Sequence, residues 1–305
     1  MNYVQHQPTK RSNAALKMII SMIIFGSIGY FTVLSNLPSF ELVFVRCMSA
    51  TLFLTTFWII TGKYKSEKWN KKEILLALAC GFFLVYNWVF LFKSFEETSI
   101  TIAISVYHLA PVFVLILGSI IFKERLTLIS ISSIIICFIG TFLISDINLN
   151  QFNYYELSEG IIWALLAALF YAFTTLLSKG IKVLSPYATT FIQTFLGIFI
   201  LIPFINISEF QYLNVNNWIF VLATGIIHTG LVYLLFFDSV RYLPTKLISV
   251  LVFLDPAVAI LLDMLFIGFF PSLKQTIGII LIYSGMALSF VKTKKKKRVA
   301  VGSAT

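Results

Sequence analysis

The sequence predicts an all-α integral membrane protein of ten transmembrane helices, arranged as two inverted five-helix repeats. Three observations predict it. Of the 305 residues 59% are hydrophobic and only 12% charged, with a mean hydropathy of +0.92, outside the range of soluble globular domains. Apolar runs, each with the ~20 residues needed to cross a hydrocarbon core of about 30 Å, recur along the chain. The two halves also answer one another when the chain is shifted by 145 positions.

The runs come in order at 17–35, 41–61, 74–95, 98–122 and 127–145, then at 159–180, 186–205, 217–239, 243–267 and 271–291. The first follows a polar start, MNYVQHQPTKRSN, and lacks a small-residue cleavage pattern, so it is read as a retained span. Helix is the expected state throughout, because backbone exposed to lipid must satisfy its own hydrogen bonds. Short connections leave no room for a soluble domain. Cys47, Cys80 and Cys137 fall in separate runs without metal-type spacing and read as packing residues.

The net charge of +10 could suggest nucleic acid, but the cations sit at every second loop. Lys10, Arg11 and Lys17 precede the first run, KYKSEKWNKK follows the second, and Lys123 and Arg125 follow the fourth. Lys179 and Lys182 follow the sixth, Arg241 and Lys246 the eighth, and KTKKKKR the tenth. The alternate loops SNLPSFE, DINLNQFNYYELSE and NISEFQYLNVNN have no Lys or Arg; Lys93 and Lys274 are the exceptions on that side. The positive-inside rule then puts both termini in the cytoplasm, as an even number of spans requires. The basic tail reads as a topology signal with some attraction to anionic lipid, and no nucleic-acid partner is expected.

At the offset of 145, SVYHLAPVF (105–113) falls on VLVFLDPAV (250–258), so Pro111 meets Pro256. Ser94 meets Ser239, and Gly140 meets Gly285. Nearby offsets bring FELVFVR (40–46) onto YATTFIQ (187–193), pairing Arg46 with Gln193. Residues 1–145 form the first repeat; residues 146–305 form the second, with the basic tail. Five spans is an odd number, so the second repeat enters the membrane from the opposite side. Inverted repeats are a hallmark of secondary transporters, whose sites lie near the midplane where helices are interrupted. Pro111 and Pro256 fall near the middle of the fourth and ninth runs, where a missing N–H bends a helix.

The stretch YNWVFLFKSFEETSITIAISVYHLAPVFVLILGSIIFKERLT, followed by GTFLI, resembles the end of an EamA-type repeat of the drug/metabolite transporter superfamily. The shared elements are an aromatic third span, a small-polar start to the fourth, the mid-span proline, the Glu-Arg-Leu turn and a late glycine in the fifth. FLDPAVAILLDMLFIGFFPSLKQTIGIILIYSGMALSF in the second half is similar, but Phe269 stands where the first half has Glu124. The resemblance covers almost the whole chain. It implies a ten-helix inverted-repeat transporter, commonly an exporter of amino acids or other small metabolites, working by alternating access without a cofactor. No Walker-type Gly-rich loop occurs, in keeping with transport driven by gradients.

Asp255 precedes Pro256 near the midplane, where a carboxyl costs about 2.5–3.5 kcal/mol on insertion scales. It reads as a substrate-amine contact or proton carrier, or else as a polar cap on the bent backbone. His108 lies three residues before Pro111, on the same helical side, and suits a proton-coupled step or a bond to a neighbouring helix. Asp263 lies two turns beyond Asp255 and reads as a vestibule or pairing carboxylate. Arg46 is about a turn and a half inside the external end of the second run. It is expected to snorkel outward or pair with Glu41 or Asp263, with a substrate carboxylate as the other reading. With Gln193, these residues are the coupling or gating candidates. Thr224 and His228, spaced i, i+4, line the cavity or make a simple helix contact. Tyr86, Trp88, Tyr107, Tyr171 and Tyr233 occur in spans whose counterparts in the resembled family line the central cavity. Most glycines within the runs are expected to let helices approach closely.

The expected function is therefore a secondary transporter exporting an amino acid or related metabolite, with its cavity between the first, third, fourth, sixth, eighth and ninth spans. The expected partners are a small-molecule substrate, the lipid bilayer of a bacterial cytoplasmic membrane and a proton as candidate coupling ion. The expected unit is a monomer or weak homodimer. Two alternatives stay open: an importer of a small organic cation held by Asp255 and the tyrosines, and an intramembrane enzyme using His108 and Asp255 on a lipid-linked substrate.

Overall fold

The computed structural model describes residues 6–98, 100–123, 126–145, 154–266 and 270–290, and the described residues are helical with no strand. α1 (His6–Phe25) and α2 (Ile28–Ser35) follow one another across a turn at Gly26 and Ser27. α3 (Ser39–Ile60) and α4 (Lys71–Glu97) are long; α5 (Ile100–Tyr107) and α6 (Ala110–Ile121) share one run, and α7 (Leu128–Ser145) closes the first half. α8 (Tyr154–Gly180) and α9 (Pro186–Leu201) open the second half. α10 (Val215–Gly225), a π-helical turn (Ile226–Leu231) and α11 (Val232–Val240) form one continuous rod. α12 (Thr245–Leu251), α13 (Leu254–Phe266) and α14 (Leu273–Phe290) complete the chain.

Seven described helical stretches are long and apolar enough to cross a membrane, and Leu128–Leu143 and Leu273–Leu288 are shorter apolar helices. Helix starts have local causes. Asn70 accepts from the amides of Lys72 and Glu73, Ser185 accepts from Ala188 just before Pro186, and Asn214 forms a reciprocal capping box with Asn217.

The helices pack pairwise: α3 on α9, α7 on α14, α6 on α12, α4 along α8, and α1–α2 along α10–α11. Close approach depends on small residues. A Cβ at Gly140 would stand 2.6 Å from the Gly278 carbonyl, and one at Gly285 would stand 2.6 Å from Cys137 Sγ.

Both interrupted runs break at matching places. The first has a turn at His108 and Leu109, with Pro111 in the first turn of α6; the second has a turn at Val252 and Phe253, with Pro256 in the first turn of α13. Proline fits there because the first helical turn leaves its N–H groups unpaired.

The two ends of the bundle differ. At one, Glu73 accepts from the amides of Val183 and Leu184 (2.8 and 2.9 Å), while Glu67 accepts from the amide and hydroxyl of Ser185 (2.8 and 2.5 Å). Lys17 pairs with Asp238 at the same end. At the other, a pocket of about 540 Å³ is lined by Thr32, Asn36, Leu42, Phe92, Glu96 and Tyr212, among others.

Candidate functional site

Below that pocket the helices converge on a polar and aromatic belt. α3 brings Arg46, fully buried one turn beyond Leu42. Its Nε donates to Thr229 Oγ1 at 3.1 Å, and its guanidinium carbon lies 4.7 Å from the Trp88 ring centroid and 5.1 Å from that of Phe92. Snorkelling is thus overturned, since no part of the side chain reaches the surface. Pairing with Glu41 is overturned too: that carboxylate accepts from the Asn206 amide at 2.7 Å, and Arg46 has no ion pair among the described residues. The side chain of Asp263 lies outside the described residues.

Thr229 can reach Arg46 because it sits in the π-helical turn. The wider turn lets Thr229 Oγ1 donate to the Thr224 carbonyl five residues back at 2.9 Å and accept from Arg46 as well. His228, in the same turn, contacts Ser27 Oγ through Nε2 at 2.9 Å and lies on the Phe31 ring, 4.7 Å between centroids. Thr224 donates to its own helix at Val221, so it does not join His228 at a common partner.

α4 brings Trp88, whose indole N–H donates to Tyr233 Oη at 2.9 Å. Tyr233 packs edge-on against Phe25 and Trp88, both at 5.3 Å. Tyr107 accepts from Asn87 Nδ2 at 3.3 Å and meets Tyr171 edge to face at 5.9 Å. Tyr86 is not in this belt: on another face of α4 its ring packs with Phe82 and Phe90. Helical spacing explains the difference, because positions 86 and 88 point to nearly opposite sides.

At the first helix break, His108 contacts the Ile104 carbonyl through Nδ1 at 2.6 Å, and its buried Nε2 has no protein partner among the described residues. Its ring stacks on Phe253 at 6.0 Å, so the two breaks touch. Asp255 lies in the first turn of α13, partly buried, with its backbone against Gly26, where an added Cβ would come 3.0 Å from its carbonyl. Gln193 is fully buried, packed on Gly81 of α4, and its amide N and O have no protein partner among the described residues.

Sequence reasoning missed Asn87, Thr229, Ser27 and Phe92. Asn87, a lone amide in an apolar run that also donates to the Ala167 carbonyl at 2.7 Å, was open to detection; Phe92 is one phenylalanine among 31. No group of three or more His, Cys, Asp or Glu able to hold a metal occurs among the described residues.

An apolar helical bundle with a charged, aromatic centre suits passage of a solute. The family assignment decides the class: the EamA-like transporter family matches twice, over residues 12–146 and 158–291. The chain belongs to the EamA-like transporter family. It is 65% identical over 290 residues to the uncharacterized transporter YxxF of Bacillus subtilis, covering 95% of this chain and 93% of that one. The uncharacterized inner membrane transporter YicL of Salmonella typhimurium is 25% identical, covering 93% of this chain and 97% of its own. A solved crystal structure superposes with a TM-score of 0.78 at 17% identity, covering 92% of this chain and 96% of that one, a likeness of fold alone. This EamA-family chain is thus an integral membrane protein of the transporter class.

Proposed function

We propose that this EamA-family chain is a secondary active transporter that exports an amino acid or related small metabolite by alternating access. In this reading ten spans form two inverted repeats, 1–145 and 146–305, with both termini cytoplasmic, so that the pocket lined by Asn36 and Tyr212 faces outward.

One observation carries the proposal: positions related by the repeat offset meet each other. Trp88 bonds Tyr233, His108 stacks on Phe253 and Cys137 contacts the Ile282 carbonyl, each pair 145 positions apart. Equivalent residues touch only at a symmetry axis, and a pseudo-two-fold axis in the membrane plane is the arrangement that lets one fold open to either side. The helix pairs support the same operation, since α4 along α8 has its counterpart in α10–α11 along α1–α2. Substrate then occupies the belt between Arg46, Trp88, Tyr107, Tyr171, Tyr233 and Asp255. His108, Gln193 and His228 stand around it, and a proton is the candidate coupling ion.

The test is a thermal-shift screen of purified protein against amino acids, nucleobases, polyamines, quaternary amines and sugars, followed by counterflow of the hits in proteoliposomes. A saturable shift and flux for amino acids, weakened in Asp255→Asn, supports the reading. Flux confined to quaternary amines would make the chain an organic-cation carrier instead. Recovery of a chemically altered compound would point to the enzyme alternative.

A further inference from the structure

The guanidinium of Arg46 is held ready for an anion. The side chain is fully buried, yet among the described residues neither Nη1 nor Nη2 has a protein partner and no carboxylate pairs with it. A buried charge in this condition is costly unless something completes it. Its orientation is nonetheless fixed on two sides: Thr229 holds Nε, and the Trp88 and Phe92 rings hold the guanidinium. That leaves the two terminal nitrogens as a planar fork, the donor geometry that matches a carboxylate with two parallel bonds.

The fork has an approach. Phe92 and Leu42 line the 540 Å³ pocket, and Arg46 lies one turn beyond Leu42 with its guanidinium against the Phe92 ring. Phe92 thus stands between pocket and charge, so that moving its ring would open the way between them.

We propose that Arg46 is the anion subsite of the transport path, taking the carboxylate of an organic solute as a bidentate partner, with Phe92 as the side chain that covers it. The assignment rests on the transport reading and narrows it, because a solute carrying only an amine has no group for this fork.

The test uses the purified full-length chain with L-leucine, 4-methylpentanoate, isopentylamine and inorganic phosphate as probes, read by tryptophan fluorescence, since Trp88 lies against the guanidinium, and by proteoliposome counterflow. L-leucine and 4-methylpentanoate are expected to give saturable signals and isopentylamine and phosphate none. Arg46→Lys, which keeps the charge without the fork, is expected to weaken binding about tenfold, and Arg46→Gln to abolish it. Phe92→Ala is expected to speed association, and gives a readout even where Arg46→Gln fails to fold. Equal binding of the amine, binding of phosphate alone, no signal from either carboxylate, or Arg46→Lys within twofold of the parent overturns the assignment. Arg46-dependent carboxylate binding without flux would keep the subsite and remove the transport reading. Flux indifferent to Arg46→Lys would do the reverse.

Discussion

Trp88 donates its indole N–H to the hydroxyl of Tyr233, 2.9 Å away and its counterpart 145 positions along the chain. The same indole supports the Arg46 guanidinium on its face. One side chain therefore joins the two halves and orients the buried charge.

Trp88→Phe keeps an aromatic face but removes the donor and weakens the cation–π contact. Loss of about 1–2 kcal/mol of stability is expected, seen as a lower Tm in detergent, with reduced flux. An unchanged Tm and flux would show that the indole does no more than fill space.

Thr229→Val should destabilise more than Thr229→Ser. Valine leaves Arg46 Nε without its acceptor and the Thr224 carbonyl without its donor, at about 1–3 kcal/mol, whereas serine retains both bonds. Comparing the two denaturation midpoints isolates the hydroxyl from the side-chain volume.

At Gly225 an added Cβ would meet Ser49 Oγ at 1.7 Å, Ser49 Cβ at 2.9 Å and the Arg46 carbonyl at 3.1 Å. Gly225→Ala is expected to force α3 away from the rod and cost about 2 kcal/mol or more. Adding Ser49→Gly removes the first two clashes and should restore part of the lost Tm; no rescue would mean that α3 and the rod separate for another reason.

Glu73→Gln replaces charge-assisted bonds to the Val183 and Leu184 amides with weaker ones. Amide exchange at Val183 and Leu184 should rise about tenfold as the turn between α8 and α9 opens more often. Exchange that stays at the parental rate would mean that Glu67 at Ser185 holds the turn by itself.

Much of this protein was set by its sequence. The apolar runs and the rarity of charge require membrane helices, because a bilayer accepts only backbone that satisfies its own hydrogen bonds. The paired prolines at 111 and 256 mark the places where those helices break, since proline cannot continue a hydrogen-bond ladder. The tertiary structure decided the rest. For Arg46, helical position gives depth but not surroundings, and so leaves outward reach, pairing with Glu41 or Asp263 and contact with a substrate carboxylate all open; burial came from α4 and the π-helical turn closing over it. The sequence offered Tyr86 and Trp88 as equals, and only the direction in which α4 faces its neighbours separated them. Composition and periodicity specify which segments must leave water, whereas which polar atoms then meet depends on contacts between segments far apart in the chain.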